Sequence, residues 1–331
     1  ILQQGDIIIL TSGSLRMEDI RINEISLFAR IIDAEYLKLS KILLELKSPL
    51  WTVFSISNTK VIEIEQSNFN VVPSNNITSL SALFALELKN STVTITDSNF
   101  LGGISKFGFM YFTITSAWNN RVNIQQCSFQ NNIAYNYAGA ITIRENINST
   151  FRFKDSTFLN NQALGPDVGQ GGRGGAIYIS TVNNKNAQPL YSFENCSFEN
   201  NYARFSGGAI YVNGYPPKFD SHTKFINNTL ESNIYSHVNT HPAKLIELEK
   251  VNSNTQKEIV QDAILNFEPR LNSSIVFELD NIGSNIPIED SIRFAIVDLY
   301  DQLLTDHNEG KIIIKSTDPF FYTSKEAIQS N

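Results

Sequence analysis

A chain of 331 residues with 42% hydrophobic content buries a substantial core, which excludes a disordered polypeptide. Its 26 Lys and Arg against 33 Asp and Glu leave a net charge of −7 at only 18% charged residues, which excludes a surface that tracks nucleic-acid phosphates. Asn, Ser and Thr replace the missing charge, and 22 Phe with 12 Tyr favour strands and turns over helices.

The chain opens at ILQQGD without Met or a basic-then-apolar leader, so it is expected to be an internal piece of something longer, its signal peptide, if any, cleaved or lying elsewhere. No run of about 18 apolar residues occurs, so no transmembrane segment is expected here. Weak alternation in DIRINEISL, YLKLS, LLEL and VFSIS marks strands from the N-terminus onward. From residue 60 a stronger sentence recurs: apolar-x-apolar-x-polar-small-x-Phe. It is written IEIEQSNF to Phe69, VTITDSNF to Phe100, VNIQQCSF to Phe129, FRFKDSTF to Phe158 and YSFENCSF to Phe198, with a weaker copy ending at Phe225. Successive phenylalanines are 31, 29, 29, 40 and 27 residues apart. Alternation with period two inside each unit identifies strands, because helical units would alternate at 3.6.

The 40-residue interval carries two insertions, seven residues in GPDVGQGGRGG (165–175) and four in NNKNAQP (183–189), whose removal leaves 29. A unit of about 29 residues with two or three short strands, stacked at about 4.8 Å per coil, defines a parallel β-helix. Alternation then assigns columns. A Phe ladder (Phe69, Phe100, Phe129, Phe158, Phe198, Phe225) and a small-residue ladder (Ser67, Ser98, Cys127, Ser156, Cys196, Thr223) point inward, as do Ala134, Ala163 and Ala203. Paired asparagines at 131–132, 160–161, 200–201 and 227–228 fall at sharp corners, where Asn tolerates left-handed backbone and its amide reaches the Asn of the next coil. AGAITI, GGAIYI and GGAIYV supply the next bend and an inward Ile.

Further along, PAKLIELE (242–249) reads as the last coil's counterpart of SGGAIYVN. After it the repeat stops, and SSIVFEL (273–279), SIRFAIVDLYDQLL (291–304) and KIIIK (311–315) read as antiparallel strands; QKEIVQDAILNF fits a short helix or a strand. The expected architecture is therefore all-β. A right-handed parallel β-helix of seven or eight coils, about 35 Å long, spans 1–249 and is clearest over 60–230. An antiparallel, immunoglobulin-like β-sandwich follows over 250–331, continues beyond the fragment and caps one end.

The pairs FQNN with AGAI, FLNN with GGAI and FENN with GGAI resemble the repeat of the chlamydial polymorphic outer-membrane protein (Pmp) family, while FINN lacks its second half. The resemblance covers about 125–230 well and 60–125 loosely. It implies a right-handed β-helical surface protein acting in adhesion, and the same repeat is reused in very large extracellular proteins of single-celled eukaryotes. VDLYDQLL is similar to the small sandwich modules that follow β-helices in such proteins. No membrane β-barrel is expected to end this chain.

Six N-x-Ser/Thr sequons, at Asn76, Asn90, Asn148, Asn195, Asn227 and Asn272, support a secretory route. The first three and Asn272 fall in expected loops or strand ends; Asn195 and Asn227 sit in repeat columns, where a glycan needs an outward side chain. Cys127 and Cys196 share a column two coils, or about 9.6 Å, apart, beyond the roughly 7 Å Cα limit for a disulfide, so two buried free thiols are expected. His222, His237, His241 and His307 show no metal-ligand spacing.

Catalysis by a β-helical polysaccharide lyase or hydrolase needs carboxylates converging on one outer face. Outward columns run Glu63, Thr94, Asn123, Arg152, Ser192 and Glu65, Thr96, Gln125, Lys154, Glu194. They offer no acid pair, only a Lys154–Glu194 surface ion pair. The Gly-rich insertion lacks Lys-Ser/Thr and precedes a strand, so it is no phosphate cradle but an exposed loop suited to a partner. Tyr135, Tyr137, Tyr178 and Tyr211 either stack on sugars or cover the coil edge.

The expectation is a non-enzymatic extracellular or cell-surface glycoprotein, a rigid rod in a filament, coat or adhesive assembly. No catalytic, metal or cofactor site is expected. Its partners are expected to be copies of itself or related surface proteins, with glycans as possible ligands. The alternatives are an adhesin binding glycan or protein through exposed loops, and a carbohydrate-active enzyme.

Overall fold

The computed structural model describes residues 7–10, 12–23, 28–47, 52–72, 82–114, 119–145, 149–165, 171–181, 190–231, 236–241, 244–247 and 294–300. The described residues form a parallel β-solenoid. Its first sheet stacks nine strands, from Ile7–Leu10 to Val238–Thr240. The second stacks eight, from Ser14–Glu18 to Lys218–Phe219, and the third eight, from Arg21–Asn23 to Lys224–Ile226. A fourth, of five two-residue strands, runs from Ile104–Ser105 to Thr229–Leu230. One full coil visits the second, third, fourth and first sheets in turn: Thr92–Thr96, Asn99–Leu101, Ile104–Ser105 and Met110–Ile114.

Register follows the repeat. Phe69, Phe100, Phe129, Phe158, Phe198 and Phe225 are direct neighbours across the third sheet. Their rings stack at 5.3, 4.7, 5.1, 4.7 and 5.1 Å between centroids, within 15° of parallel. A second ladder, Phe153, Phe193 and Phe219, runs beside it at 4.6 and 5.3 Å. The 40-residue unit keeps the same register as its neighbours, so its extra residues leave the stack undisturbed.

Corners are made by backbone that L-residues seldom adopt. Between second and third sheets, Gln66, Asp97, Gln126, Asp155 and Asn195 have φ of 48–52°. Between third and fourth, Asn131, Asn160, Asn200 and Asn227 have φ of 52–55°. Asn and Asp bear this conformation at least cost after Gly. At the last bend of the coil the chains approach so closely that a Cβ on Gly175 would lie 2.1 Å from the Gly208 carbonyl oxygen, which is why Gly recurs ahead of Ala-Ile.

One expectation about the C-terminal side changes. The strand that follows Ile210–Asn213 in the first sheet is Val238–Thr240, with Val238 opposite Ile210, and not PAKLIELE. Lys244–Glu247 instead pairs antiparallel with Phe294–Val297. Residues 294–300 are thus seated against the end of the solenoid; the rest of the sandwich expected over 250–331 lies outside the described residues.

Candidate functional site

Each corner residue with left-handed backbone is followed by an inward residue that hydrogen-bonds along the stack. The second asparagine of each pair, Asn132, Asn161, Asn201 and Asn228, is fully buried. Asn132 Nδ2 donates to Asn161 Oδ1 at 2.9 Å, Asn161 to Asn201 at 3.0 Å and Asn201 to Asn228 at 2.9 Å. The other amide hydrogens reach the carbonyls of Phe100, Phe129 and Phe158 one coil back. The Oδ1 atoms of Asn161, Asn201 and Asn228 also accept the backbone N–H of the buried asparagine one coil back, and that of Asn132 accepts the Gly103 N–H, so donors and acceptors are matched within the column.

The small-residue column is a second relay. Ser67 N–H donates to Ser98 Oγ at 3.1 Å, Cys127 N–H to Ser156 Oγ at 3.2 Å and Cys196 N–H to Thr223 Oγ1 at 3.4 Å. Cys127 and Cys196 are buried and unpaired. Their thiols donate to the carbonyls of Gln125 and Glu194, and burial pushes both up to about 12, far from the range of a reactive thiolate.

The outer face of the first sheet carries an aromatic stack. Tyr111 and Phe107 lie 5.1 Å apart, Phe107 and Tyr137 5.9 Å, Tyr137 and Tyr178 4.3 Å, and Tyr178 and Tyr211 5.6 Å. The Arg173 guanidinium sits 5.4 Å above the Tyr211 ring. The ring faces that would receive a sugar are occupied by one another, and Tyr178 and Tyr211 are each only 6% exposed. These two tyrosines therefore cover the coil edge; Tyr135, 40% exposed, points outward.

Glu63 and Glu65 stand in register with Thr94 and Thr96, and onward to Arg152 and Lys154. Lys154 stands opposite Glu194, but the ion pair expected between them does not form. On this face Lys38 pairs with Glu65 at 2.5 Å and Lys41 with Glu18 at 3.6 Å, while Tyr36 donates to Glu63 at 2.6 Å. An exposed pair gains too little to fix two long side chains against their entropy. Among the described residues no three His, Cys, Asp or Glu converge on a metal-sized space.

Of the sequons, Asn90, Asn195 and Asn227 are exposed corner residues with φ of 51–54°; Asn195 Nδ2 donates to Asp155 Oδ1 at 2.7 Å. Asn76, Asn148 and Asn272 lie outside the described residues. The Gly-rich insertion is clamped at its base: Arg204 donates to the Gly165 carbonyl at 3.1 Å, and Gly172 N–H donates to the Asn136 carbonyl.

One buried acid escaped the sequence reading. Glu145 occupies the inward column of Leu88, Ile114 and Thr181 and accepts a hydrogen bond from the Tyr191 hydroxyl. Burial pushes its carboxyl up to about 7. The signal was available in ITIRE, where alternation places Glu145 inward.

Residues 155–180 and 195–213 match the family model of the Chlamydia polymorphic membrane protein (Chlamydia_PMP) repeat. These spans hold the third-sheet strands Thr157–Leu159 and Ser197–Glu199, the first-sheet strand Ile210–Asn213 and all but the last residue of the first-sheet strand Ile177–Thr181. No curated protein and no solved structure matches the chain.

Proposed function

We propose that the chain is a non-enzymatic, rigid rod segment of a cell-surface or extracellular glycoprotein, a spacer in a filament, coat or adhesive layer. The observation that carries this reading is the continuity of the stack. The phenylalanine ladder crosses six coils and the first sheet nine strands, a length of about 40 Å at the usual strand spacing. Among the described residues the inward columns are filled mainly by stacked apolar and asparagine side chains, which leaves corners and insertions to meet other molecules. A repeat model drawn from a membrane-protein family supports the surface location. Asn90, Asn195 and Asn227 stand on exposed corners, as glycan attachment requires. In this reading the helix is right-handed, an immunoglobulin-like sandwich occupies 250–331, and the rod associates with copies of itself or with related surface proteins.

An adhesin reading is favoured by one feature: the base of the Gly-rich insertion is fixed at Gly165 and Gly172 by Arg204 and Asn136, and a loop anchored on a scaffold is where partner contacts are commonly placed. Peptide mass spectrometry of protein recovered from its own cells, combined with surface labelling, tests both readings. Surface-labelled chain with N-glycan on Asn90 or Asn227 is the expected result. Unlabelled chain with every sequon unmodified would overturn the surface assignment. Loss of cell binding on deleting 166–170 would select the adhesin over the spacer.

A further inference from the structure

Cations on and beside the outer face of the second sheet fall into two groups. In the coils up to residue 65 they are compensated. Lys38 pairs with Glu65, Lys60 with Glu35 at 2.8 Å and Lys41 with Glu18 and Asp19, while the Arg16 guanidinium lies 5.3 Å from the centre of the Tyr36 ring. Beyond residue 120 they are not. Arg121, Arg152, Lys154 and Lys218 are all exposed, and no carboxylate among the described residues pairs with any of them.

Nearby acids are engaged by the corner that follows this face. Asp155 accepts Asn195 Nδ2 at 2.7 Å, and Asp220 accepts the backbone N–H groups of Asn195 and Thr223 at 3.1 and 2.9 Å. Glu194 is exposed and stands opposite Lys154 without pairing with it. Register spaces the cations: Arg121 is opposite Thr150, Arg152 lies between Asn123 and Ser192, and Lys218 follows Ser192. At the usual sheet dimensions the Cα of Arg152 is about 7 Å from that of Lys154, about 8 Å from that of Arg121 and about 10 Å from that of Lys218. Asn123 and Ser192, both half-buried, set an amide and a hydroxyl between the charges.

We propose that this half of the second sheet is a docking face for an extended anionic polysaccharide bearing carboxylate or sulfate groups. Uncompensated cations on one flat surface raise its local potential and attract a polyanion, although the chain carries −7 overall. Arg121 and Arg152 offer planar forks that take a pair of carboxylate or sulfate oxygens, and Lys154 and Lys218 act as point charges. Cations repeating at one- to two-strand intervals on a rigid sheet suit a linear polymer with a charge on every sugar or every second one, while Asn123 and Ser192 bond sugar hydroxyls. Nucleic acid fits less well. A net negative chain repels so dense a polyanion, and Asn123, Thr150 and Ser192 give bases no ring to stack on. The proposal rests on the surface reading for the kind of polymer the face meets, but binding by the purified chain is measured wherever the chain resides, so the two fail separately.

The test measures binding of the full chain to immobilised heparin and polygalacturonate, with dextran as the neutral polymer and single-stranded DNA as a second polyanion. Binding to heparin or polygalacturonate is expected, with none to dextran, and it is expected to weaken about 10–100-fold as salt rises from about 50 to about 200 mM. The double variant Arg152→Gln, Lys154→Gln, its strand spectrum checked by circular dichroism, is expected to lose about 10–100-fold in affinity at low salt. Lys60→Gln, which removes a charge that Glu35 already compensates, is expected to leave binding unchanged. Glu194→Gln removes the one acid set against Lys154 and is expected to strengthen binding about threefold. No binding to either acidic polysaccharide at low salt, equal binding to dextran, or a folded double variant that binds as well as the parent overturns the proposal. Tighter binding to DNA than to both polysaccharides overturns the choice of polymer. If the double variant misfolds, Glu194→Gln decides, because weaker binding by it is contrary to a cationic face.

Discussion

Asn161 Nδ2 donates to Asn201 Oδ1 at 3.0 Å across 40 positions of sequence, the same bond that Asn132 makes to Asn161 across 29. The stack is therefore indifferent to what is inserted between its rungs, and the asparagine column, more than the length of the unit, fixes the register. Each inner asparagine makes or receives bonds that no water replaces, because all four are fully buried.

Replacing Asn161 by Ala removes its two donated amide bonds and orphans the Asn132 amide groups that bonded to its Oδ1. At about 1 kcal/mol per bond plus the cost of orphaned buried donors, a loss of about 3–5 kcal/mol is expected, read from chemical denaturation. Asn160, half-buried with φ of 55°, behaves differently: Asn160→Ala costs about 1–2 kcal/mol through its backbone and Asn160→Gly nearly nothing. Equal costs for Asn160→Ala and Asn160→Gly would show that the corner conformation is not what selects asparagine there.

Cys127 and Cys196 are expected to resist alkylation in the native protein and to take up two labels per chain once unfolded, because burial holds both thiols protonated at neutral pH. Cys196→Ser, which places a hydroxyl where Ser67, Ser98 and Ser156 already serve, is expected to change stability by less than about 1 kcal/mol. Mass spectrometry of labelled peptides reads the first expectation and denaturant midpoints the second. Rapid labelling of either thiol in folded protein would place it outside the core.

Buried Glu145 and half-buried His237 give opposite pH dependences. Glu145 titrates near its ordinary value when unfolded and at about 7 when folded. Between about pH 4.5 and 7 the unfolded chain has lost a proton that the folded chain keeps, so stability falls as pH rises, by about 3 kcal/mol in all. His237 is pushed down to about 4 by burial, so below pH 6.5 the unfolded chain takes a proton that the folded chain refuses, and stability falls as pH drops toward 4. Glu145→Gln removes the first slope and leaves the second. Its melting temperature, relative to the parent, is expected to climb from pH 5 to 8. A constant difference across that range would mean that Glu145 does not hold its proton in the folded state.

Phe158 stacks 5.1 Å from Phe129 and 4.7 Å from Phe198 with no exposure. Phe158→Ala opens a cavity between two rungs and is expected to cost about 3–5 kcal/mol; Phe158→Leu, which fills most of that space, is expected to cost less than half as much. Thermal unfolding of the two variants side by side reads the difference, and equal losses would point to ring stacking rather than volume.

The central coils were legible because every element of the repeat has a physical reason that shows in one dimension: alternation for strands, Asn for the corner, Gly where two backbones nearly touch. The last coil was not. Ser236 and His237 stand where Gly and Ala stand in earlier copies, and LIELE alternates more cleanly than HVNT, so alternation favoured the wrong segment. The role of Tyr178 and Tyr211 was left open for another reason. Period two places them outward, but Tyr137 and Arg173, brought over from outside the strand, bury them, a contact that no local pattern encodes. The contacts of Thr240 with Asp298 and Leu299 span 58 and 59 positions; covering of one end by the segment after 250 was expected, but no repeat announced which residues would make it.

The central claim is that the repeat is a rule for stacking whose product is a stiff, continuous column. Electron cryomicroscopy of the native chain at side-chain resolution tests it most directly. Layers about 4.8 Å apart along one axis are expected, with Asn132, Asn161, Asn201 and Asn228 in consecutive layers and the phenylalanines stacked beside them. A map in which Asn161 and Asn201 occupy non-adjacent layers, or in which the strands pair antiparallel, would contradict it.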